Sequence, residues 1–199
     1  MTVDTTNYEK FQTGNPVVRR LIDGFYGKVE ETVAPLEPGT VLDAGCGEGE
    51  TLDRLAGVLP ESPVGIDLNP ESVRFAGERL PAARLSVANL LELPFADHEF
   101  DLVLCLEVLE HLPDPGAGLS ELARVSGRDI VISVPHEPWF RLGSLARGKY
   151  LKTWGNHPEH VNHWNPRTLR EFLSQQVEVV EIKTSMPWLI AWCRPSRGD

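Results

Sequence analysis

A glycine-rich run near residue 45 has the side chains and spacing best suited to chemistry. Residues 41–50 read Val-Leu-Asp-Ala-Gly-Cys-Gly-Glu-Gly-Glu. The first residues favour a buried strand, and Gly45, Gly47 and Gly49 carry no side chain where a ligand must approach the backbone. Apolar residues at helical spacing follow in 51–59. A strand, a glycine turn and a helix in this order are typical of nucleotide sites in open α/β sheets.

Two acidic residues indicate which ligand this turn binds. Asp43 precedes the first glycine, where its charge repels a phosphate and attracts an ammonium group. Asp67 ends the next apolar run, about 20 residues beyond the glycines, at the usual place for a carboxylate that binds ribose hydroxyls. The glycine spacing differs from Gly-x-Gly-x-x-Gly, and no Lys-Ser or Lys-Thr pair follows it. A ribose without pyrophosphate, beside a negative charge, indicates S-adenosylmethionine, which carries a sulfonium and an ammonium group.

Several motifs in the same order resemble the class I S-adenosylmethionine-dependent methyltransferases. Besides residues 41–50, these motifs are Gly65-Ile-Asp67, Leu93-Pro-Phe95 and Phe100-Asp-Leu-Val-Leu-Cys-Leu-Glu-Val-Leu-Glu-His-Leu-Pro113. The chain is similar above all to the branch that acts on small molecules, including the ubiquinone O-methyltransferases. The resemblance implies a Rossmann-like α/β fold. It also implies a seven-stranded, mostly parallel sheet of order 3-2-1-4-5-7-6, with the last strand antiparallel and helices on both faces.

The resemblance also implies a set of cofactor contacts. Asp67 is expected to bind both ribose hydroxyls, Leu68 to pack on the adenine, and the backbone at Leu106 to meet the cofactor. The family usually has Asp where this chain has Asn89, whose amide carbonyl can still accept from the adenine amino group; a surface turn is the other interpretation of Asn89. The predicted cofactor-binding residues are Asp43, Gly45, Gly47, Asp67, Leu68, Asn89, Leu90 and Leu106.

A histidine-rich segment supplies the candidates for a catalytic base. Residues 155–164 read Gly-Asn-His-Pro-Glu-His-Val-Asn-His-Trp, with three histidines spaced three apart. Methyl transfer needs a base only when the acceptor carries a proton of high pKa, and histidine suits that role at neutral pH. We predict His160 or His163 as the base. The alternative interpretation is that these histidines cap and brace a long loop.

A second motif raises the question of a metal. Glu107, Glu110 and His111, with a histidine about fifty residues later, resemble the metal site of small-RNA 3′-terminal 2′-O-methyltransferases. The same Glu-Val-Leu-Glu-His segment also occurs in metal-free members of the family, so we predict no metal. The alternatives to a small-molecule methyltransferase are therefore a metal-dependent RNA methyltransferase of that kind and a non-catalytic, cofactor-binding partner protein.

Composition restricts the class of protein further. The 199 residues carry a formal net charge of −10, which does not favour nucleic acid as a partner. The three cysteines form no Cys-x-x-Cys pair, and the first residues do not look like a signal peptide, which together predict a cytoplasmic protein. No apolar run is long enough to span a membrane. A small-molecule acceptor is the expected partner, and the chain is expected to be a monomer or a homodimer.

Alternating strand and helix patterns predict one α/β unit with an added N-terminal segment. We assign residues 1–38 to a helical lid or cap, whose helix begins at Asn15-Pro16, and residues 39–199 to the methyltransferase domain. The predicted strands are 40–44, 63–67, 84–88, 100–105, 128–134, 177–183 and 187–194. The predicted later helices are 50–59, 70–80, 116–125 and 166–174.

Overall fold

The computed structural model describes residues 15–137 and 162–196. In chain order its elements are α1 (Pro16–Val33), a 3-10 turn (Ala34–Leu36), β1 (Val41–Ala44), α2 (Glu50–Arg54), β2 (Val64–Asp67), α3 (Pro70–Arg79), β3 (Arg84–Val87), β4 (Phe100–Leu106), a 3-10 turn (Leu109–His111), α4 (Pro115–Val125), β5 (Ser126–Pro135), α5 (Pro166–Leu173), β6 (Val177–Ser185) and β7 (Trp188–Pro195). This succession places crossover helices between the first strands, as a parallel sheet requires.

The strands of the described residues form one seven-stranded sheet in the order β3-β2-β1-β4-β5-β7-β6. Strand β1 pairs in parallel with β2 and β4, so that Asp43 lies opposite Gly65 on one side and Leu104 on the other. Strand β7 runs antiparallel to both β5 and β6. The predicted strand order and the predicted reversal of the last strand are therefore confirmed. Because β1, β2, β4 and β5 are parallel, their carboxyl ends meet at one edge.

Helices cover both faces of this sheet and fix the position of that edge. On one face α4 buries Leu119 and Leu122 against β4 and β5, and α5 buries Leu169 and Leu173 next to β6. On the other face α1 buries Ile22, Phe25, Val29 and Val33 in a cluster with residues of β1, β4, β5 and β7. Each fully buried leucine or isoleucine contributes about 1.5–3 kcal/mol of apolar stabilisation. The central strands are thus packed on both sides, and the loops at their ends start from rigid positions.

Side-chain caps start the helices where the sequence suggests. The Asn15 side chain accepts from the amide of Val17 at 2.9 Å, and Pro16 fills the first position of α1. Helix α2 is shorter than predicted, because Leu55 leaves helical geometry (φ −96°, ψ 6°) and turns follow it. The predicted lid segment before residue 15 lies outside the described residues, so the division at residue 38 stays a prediction.

Within the described residues, no helix is both long and apolar enough to cross a membrane.

Candidate functional site

The glycine loop after β1 folds onto the end of β2. The amides of Gly45 and Cys46 both donate to the carbonyl oxygen of Ile66, each at 2.8 Å. The amide of Gly47 donates to Oδ2 of Asp67 at 2.9 Å. These three bonds bring the predicted residues of β1, its loop and β2 to one end of the sheet. Open α/β sheets bind ligands in the crevice at such strand ends, and we call this place, where the loop 45–49 meets Asp67, the β1–β2 cleft.

Asp67 is held in one orientation by backbone amides. Its Oδ2 accepts from Gly47, and its Oδ1 accepts from the amide of Asn69 at 2.8 Å. A carboxylate oxygen has two lone pairs, so each oxygen keeps capacity for one further donor. Two neighbouring hydroxyls, such as those of a ribose, can use that capacity. The geometry suits the role that the sequence predicts for Asp67.

Asp43 is a buried carboxyl group beneath the same loop. Its side chain is 1% exposed, and within residues 15–137 and 162–196 its Oδ2 has no hydrogen-bond partner. Burial, with a smaller contribution from the negative charge of Asp67, raises the pKa of Asp43 to about 7. An unsatisfied buried acceptor costs about 1–3 kcal/mol. A cationic ligand or a bound water in the cleft would remove that cost.

Two glycines of the loop are needed for different reasons. Gly45 has φ +96°, and a Cβ there would collide with the Val108 side chain. Gly47 has φ +51°, but a Cβ there would meet nothing within 4 Å. Gly45 therefore permits the fold of the loop, whereas Gly47 leaves open space beside the cleft.

The remaining predicted cofactor residues differ in their surroundings. Leu68 is 69% exposed beside Asp67, which is unusual for a leucine and leaves an apolar surface for a ring. Leu106 is buried at the end of β4, one residue before a change of chain direction. The Leu90 side chain is buried and packs towards α4 near Gly118. The Asn89 side chain accepts from the amide of Leu91 at 3.0 Å, which stabilises a turn.

The glutamate that follows β4 makes contacts that no sequence motif indicates. Glu107 has φ +60°, a backbone conformation that non-glycine residues rarely adopt. Its Oε1 accepts from the hydroxyl of Ser133 at 2.8 Å, and its Oε2 accepts from the indole N–H of Trp188 at 2.7 Å. Burial raises the pKa of Glu107 to about 7, although both hydrogen bonds lower it. Glu107 is therefore tied to β5 and β7.

The described residues of the possible metal motif do not converge on one point. The Glu107 carboxylate is bound by Ser133 and Trp188, while Glu110, the middle residue of the 3-10 turn, is 1% exposed. Nε2 of His111 lies 4.0 Å from Oε1 of Glu110. In residues 15–137 and 162–196, no group of three or more such side chains forms a metal-binding cluster. The histidine that would complete the motif, His160, lies outside these ranges.

Of the two predicted bases, only His163 falls in the described residues. Its Nδ1 lies 3.8 Å from Oε1 of Glu137, just past the end of β5. The neighbouring backbone is fixed, since Glu137 donates its amide to the carbonyl of Trp164 at 2.9 Å. Sequence reasoning overlooked His136, which directly follows β5; its Nδ1 is buried, and burial lowers its pKa. Isolated histidines near strand ends carry no motif that would have singled it out.

The fold is Rossmann-like, and two carboxyl groups lie at the end of its first two strands, one oriented by backbone amides and the other buried. The family described as "Methyltransferase domain" matches residues 42–129, which include β1, β2, β3 and β4. Residues 42–129 carry a methyltransferase domain, and the homologues support a class I methyltransferase whose cofactor is S-adenosylmethionine.

Named relatives are similar to the chain in sequence, and a solved structure is similar to it in fold. The chain is 31% identical to tocopherol O-methyltransferase of Arabidopsis thaliana over 66% of its length and 44% of that protein. It is 38% identical to ubiquinone biosynthesis O-methyltransferase of Thiobacillus denitrificans (56% and 46%) and 36% identical to ajmaline N-methyltransferase of Rauvolfia serpentina (48% and 36%). The chain thus spans less than half the length of these relatives. The structure of magnesium protoporphyrin IX methyltransferase from Synechocystis, with SAH bound, matches with TM-score 0.72 at 21% identity over 97% and 96% of the two chains.

Proposed function

We propose that this protein transfers a methyl group from S-adenosylmethionine to an oxygen or nitrogen atom of a small molecule. The observation that carries the proposal is a pair of carboxyl groups, Asp67 in the β1–β2 cleft and Asp43 buried beneath its loop. Asp67 is oriented by the Gly47 amide, and Asp43 lies buried with an oxygen that lacks a partner among the described residues. One carboxylate suits a diol and the other suits a cation.

The residues of the cleft fit the cofactor part by part. Asp67 would accept hydrogen bonds from both ribose hydroxyls, because each of its oxygens retains a lone pair. The exposed Leu68 side chain would pack against the adenine ring. Asp43 would favour the positive charge of the methionine end, directly or through a water. The open space beside Gly47 would admit that end of the molecule.

The bound cofactor supplies a methyl carbon that its sulfonium has already activated. The protein then has to hold the acceptor atom in line with that carbon, and such positioning contributes most of the rate. The acceptor oxygen or nitrogen forms the new bond to carbon while the carbon–sulfur bond breaks. For an acceptor that carries a proton of high pKa, His160 or His163 would accept that proton. Glu137, 3.8 Å from His163, would stabilise the resulting imidazolium.

A small molecule is the acceptor class that the observations favour. Three relatives carry names that specify tocopherol, ubiquinone biosynthesis or ajmaline, all small compounds. The net charge of −10 opposes a polyanionic substrate such as RNA. The metal-dependent RNA alternative is further weakened because Ser133 and Trp188 already bind the Glu107 carboxylate.

A product assay tests this proposal. The protein is incubated with S-adenosylmethionine and a panel of phenols, alcohols and amines, and S-adenosylhomocysteine is measured together with the methylated product. The proposal expects acceptor-dependent product, with no requirement for a divalent cation. Cofactor binding without product across the panel would favour the non-catalytic class. Chelator-sensitive methylation of RNA 3′ ends would favour the metal-dependent alternative.

A further inference from the structure

The turn after β4 has an uncommon backbone conformation. It directly follows Leu106, where the backbone is expected to meet the cofactor. Glu107 follows Leu106 directly and has φ +60°. A non-glycine residue in that region costs about 1–3 kcal/mol and persists only where its surroundings enforce it. The groups that hold Glu107 in this conformation therefore also fix the backbone conformation next to the expected cofactor contact at Leu106.

Strand β5 supplies the first of these groups. The amide of Glu107 donates to the carbonyl oxygen and to the hydroxyl of Ser133, each at 3.1 Å. The same hydroxyl donates to the Glu107 carboxylate at 2.8 Å. Ser133 is fully buried, so these bonds are shielded from water. They hold the backbone of Glu107 and one of its carboxylate oxygens.

Strand β7 supplies the second group. The indole N–H of Trp188 donates to the other oxygen of Glu107 at 2.7 Å, a charge-assisted bond when the carboxyl is ionised. The Trp188 ring in turn packs against Phe25 of α1, with ring centres 5.0 Å apart and planes inclined by 47°. A continuous line of contacts thus joins α1, β7 and the turn after β4.

We infer that Trp188 is a positioning residue of the methyl-transfer site, because its indole N–H fixes Glu107 and with it the backbone that follows Leu106. The inference rests on the proposed function for its effect on catalysis. It does not require Trp188 to touch cofactor or acceptor, since it acts through Glu107.

The same strand offers a matched control. Trp192 also lies on β7, and its indole N–H also donates to a buried carboxylate, Oδ1 of Asp129, at 2.8 Å. Trp188 pairs with Pro135 at the end of β5, whereas Trp192 pairs with Val131 nearer its start. Replacing either tryptophan by phenylalanine removes one donor and keeps an aromatic ring. Only Trp188→Phe acts at the edge that carries the site.

Hydrogen exchange tests the inference without an acceptor. Peptides covering residues 104–110 are followed in the wild type, in Trp188→Phe and in Trp192→Phe, together with thermal unfolding. We expect the Glu107 amide to exchange about tenfold faster in Trp188→Phe, equivalent to about 1.4 kcal/mol of local stability. Trp192→Phe should leave that exchange at the wild-type rate even if its unfolding temperature falls equally. Equal exchange in both variants would overturn the inference.

Calorimetric titration with S-adenosylmethionine and a turnover assay complete the experiment. We expect Trp188→Phe to weaken cofactor binding or lower kcat about tenfold, and Trp192→Phe to change neither. In a Glu107→Met background, where residue 107 offers the indole no oxygen acceptor, Trp188→Phe should add little, because the two residues act together. Equal losses in both tryptophan variants, or full additivity with Glu107→Met, would contradict the inference. If the wild type neither binds the cofactor nor forms product, the proposed function fails, and the exchange data alone decide whether Trp188 holds the turn.

Discussion

The amide of Gly47 donates a 2.9 Å hydrogen bond to Oδ2 of Asp67, and this contact joins the glycine loop to the end of the neighbouring strand. It orients a carboxylate whose other oxygen accepts from the Asn69 amide at 2.8 Å. The loop and the acid therefore form one unit. A ligand that uses Asp67 meets a group that has already lost most of its rotational freedom, which reduces the entropy cost of binding.

Asp67→Ala should weaken the binding of S-adenosylmethionine by about 1.5–3 kcal/mol, the contribution of a hydrogen bond to a charged group. Calorimetric titration measures the change, and thermal unfolding corrects for the lost Gly47 contact. Asp97→Ala is the control. Asp97 is exposed, and its carboxylate accepts a hydrogen bond from Arg124 at 2.9 Å. Unchanged affinity in Asp67→Ala would refute the ribose role.

Gly47→Ala should separate binding from folding. A Cβ at residue 47 meets nothing within 4 Å, so the stability cost should be about 1–2 kcal/mol, from the left-handed backbone alone. The methyl group would occupy space that the ligand needs, so affinity for the cofactor should fall at least about tenfold, or about 1.4 kcal/mol. Gly77→Ala in α3 is the control, since a Cβ there also meets nothing within 4 Å. Wild-type affinity in a folded Gly47→Ala protein would show that the ligand lies elsewhere.

The affinity for S-adenosylmethionine should rise with pH between about 5.5 and 7. Burial raises the pKa of Asp43 to about 7, and the ionised form attracts the cationic cofactor. Each unit of pH below that value should weaken binding up to about tenfold, because ionisation must precede binding. Asp43→Asn should bind more weakly, and its affinity should depend less on pH. An equal slope in both proteins would assign the pH dependence to another group.

The stability of the ligand-free protein should show the opposite dependence. The pKa of Asp43 is higher in the folded chain than the ordinary value of 3.8, so the folded state holds more protons between about pH 4 and 7. The contribution of Asp43 to the free energy of unfolding therefore falls as the pH rises through that range. Denaturant titrations at several pH values should show a smaller decline in Asp43→Asn. An unchanged decline would mean that Asp43 is already ionised at low pH.

The proposed base predicts a loss of turnover without a loss of cofactor binding. His160→Ala and His163→Ala are each assayed with an acceptor that carries a high-pKa proton, and we expect one of them to lower kcat by about 100-fold or more. His98→Ala is the control, because the His98 ring bonds to the carbonyl of Ser126 at 2.9 Å, in the turn before β4. If neither variant lowers turnover, the base hypothesis fails.

Local patterns predicted most of the fold. The apolar run of β5 was expected over 128–134 and extends over Ser126–Pro135, and the cap at Asn165 starts α5 as its Asn-Pro pair suggests. Helix α2 was overestimated, because apolar spacing continues to residue 59 while the backbone leaves the helix at Leu55. The strand order came from the resemblance, since hydrophobic periodicity does not encode which strands pair.

The site was predicted only where its residues lie close along the chain. Asp43, Gly45 and Gly47 are part of one motif, and Asp67 follows at a regular interval. The bond between Trp188 and Glu107 joins residues 81 positions apart and left no sequence signal. Asn89 shows a different limit. The motif predicts a contact between Asn89 and the adenine, whereas in the structure the Asn89 side chain accepts from the amide of Leu91 and stabilises a turn.

Titration of the wild-type protein with S-adenosylmethionine, followed by measurement of S-adenosylhomocysteine with the acceptor panel, tests the central claim most directly. The account predicts saturable binding at one site per chain and acceptor-dependent formation of S-adenosylhomocysteine, both reduced in Asp67→Ala. Absence of binding in a folded protein, or binding that Asp67→Ala and Gly47→Ala leave unchanged, would contradict it.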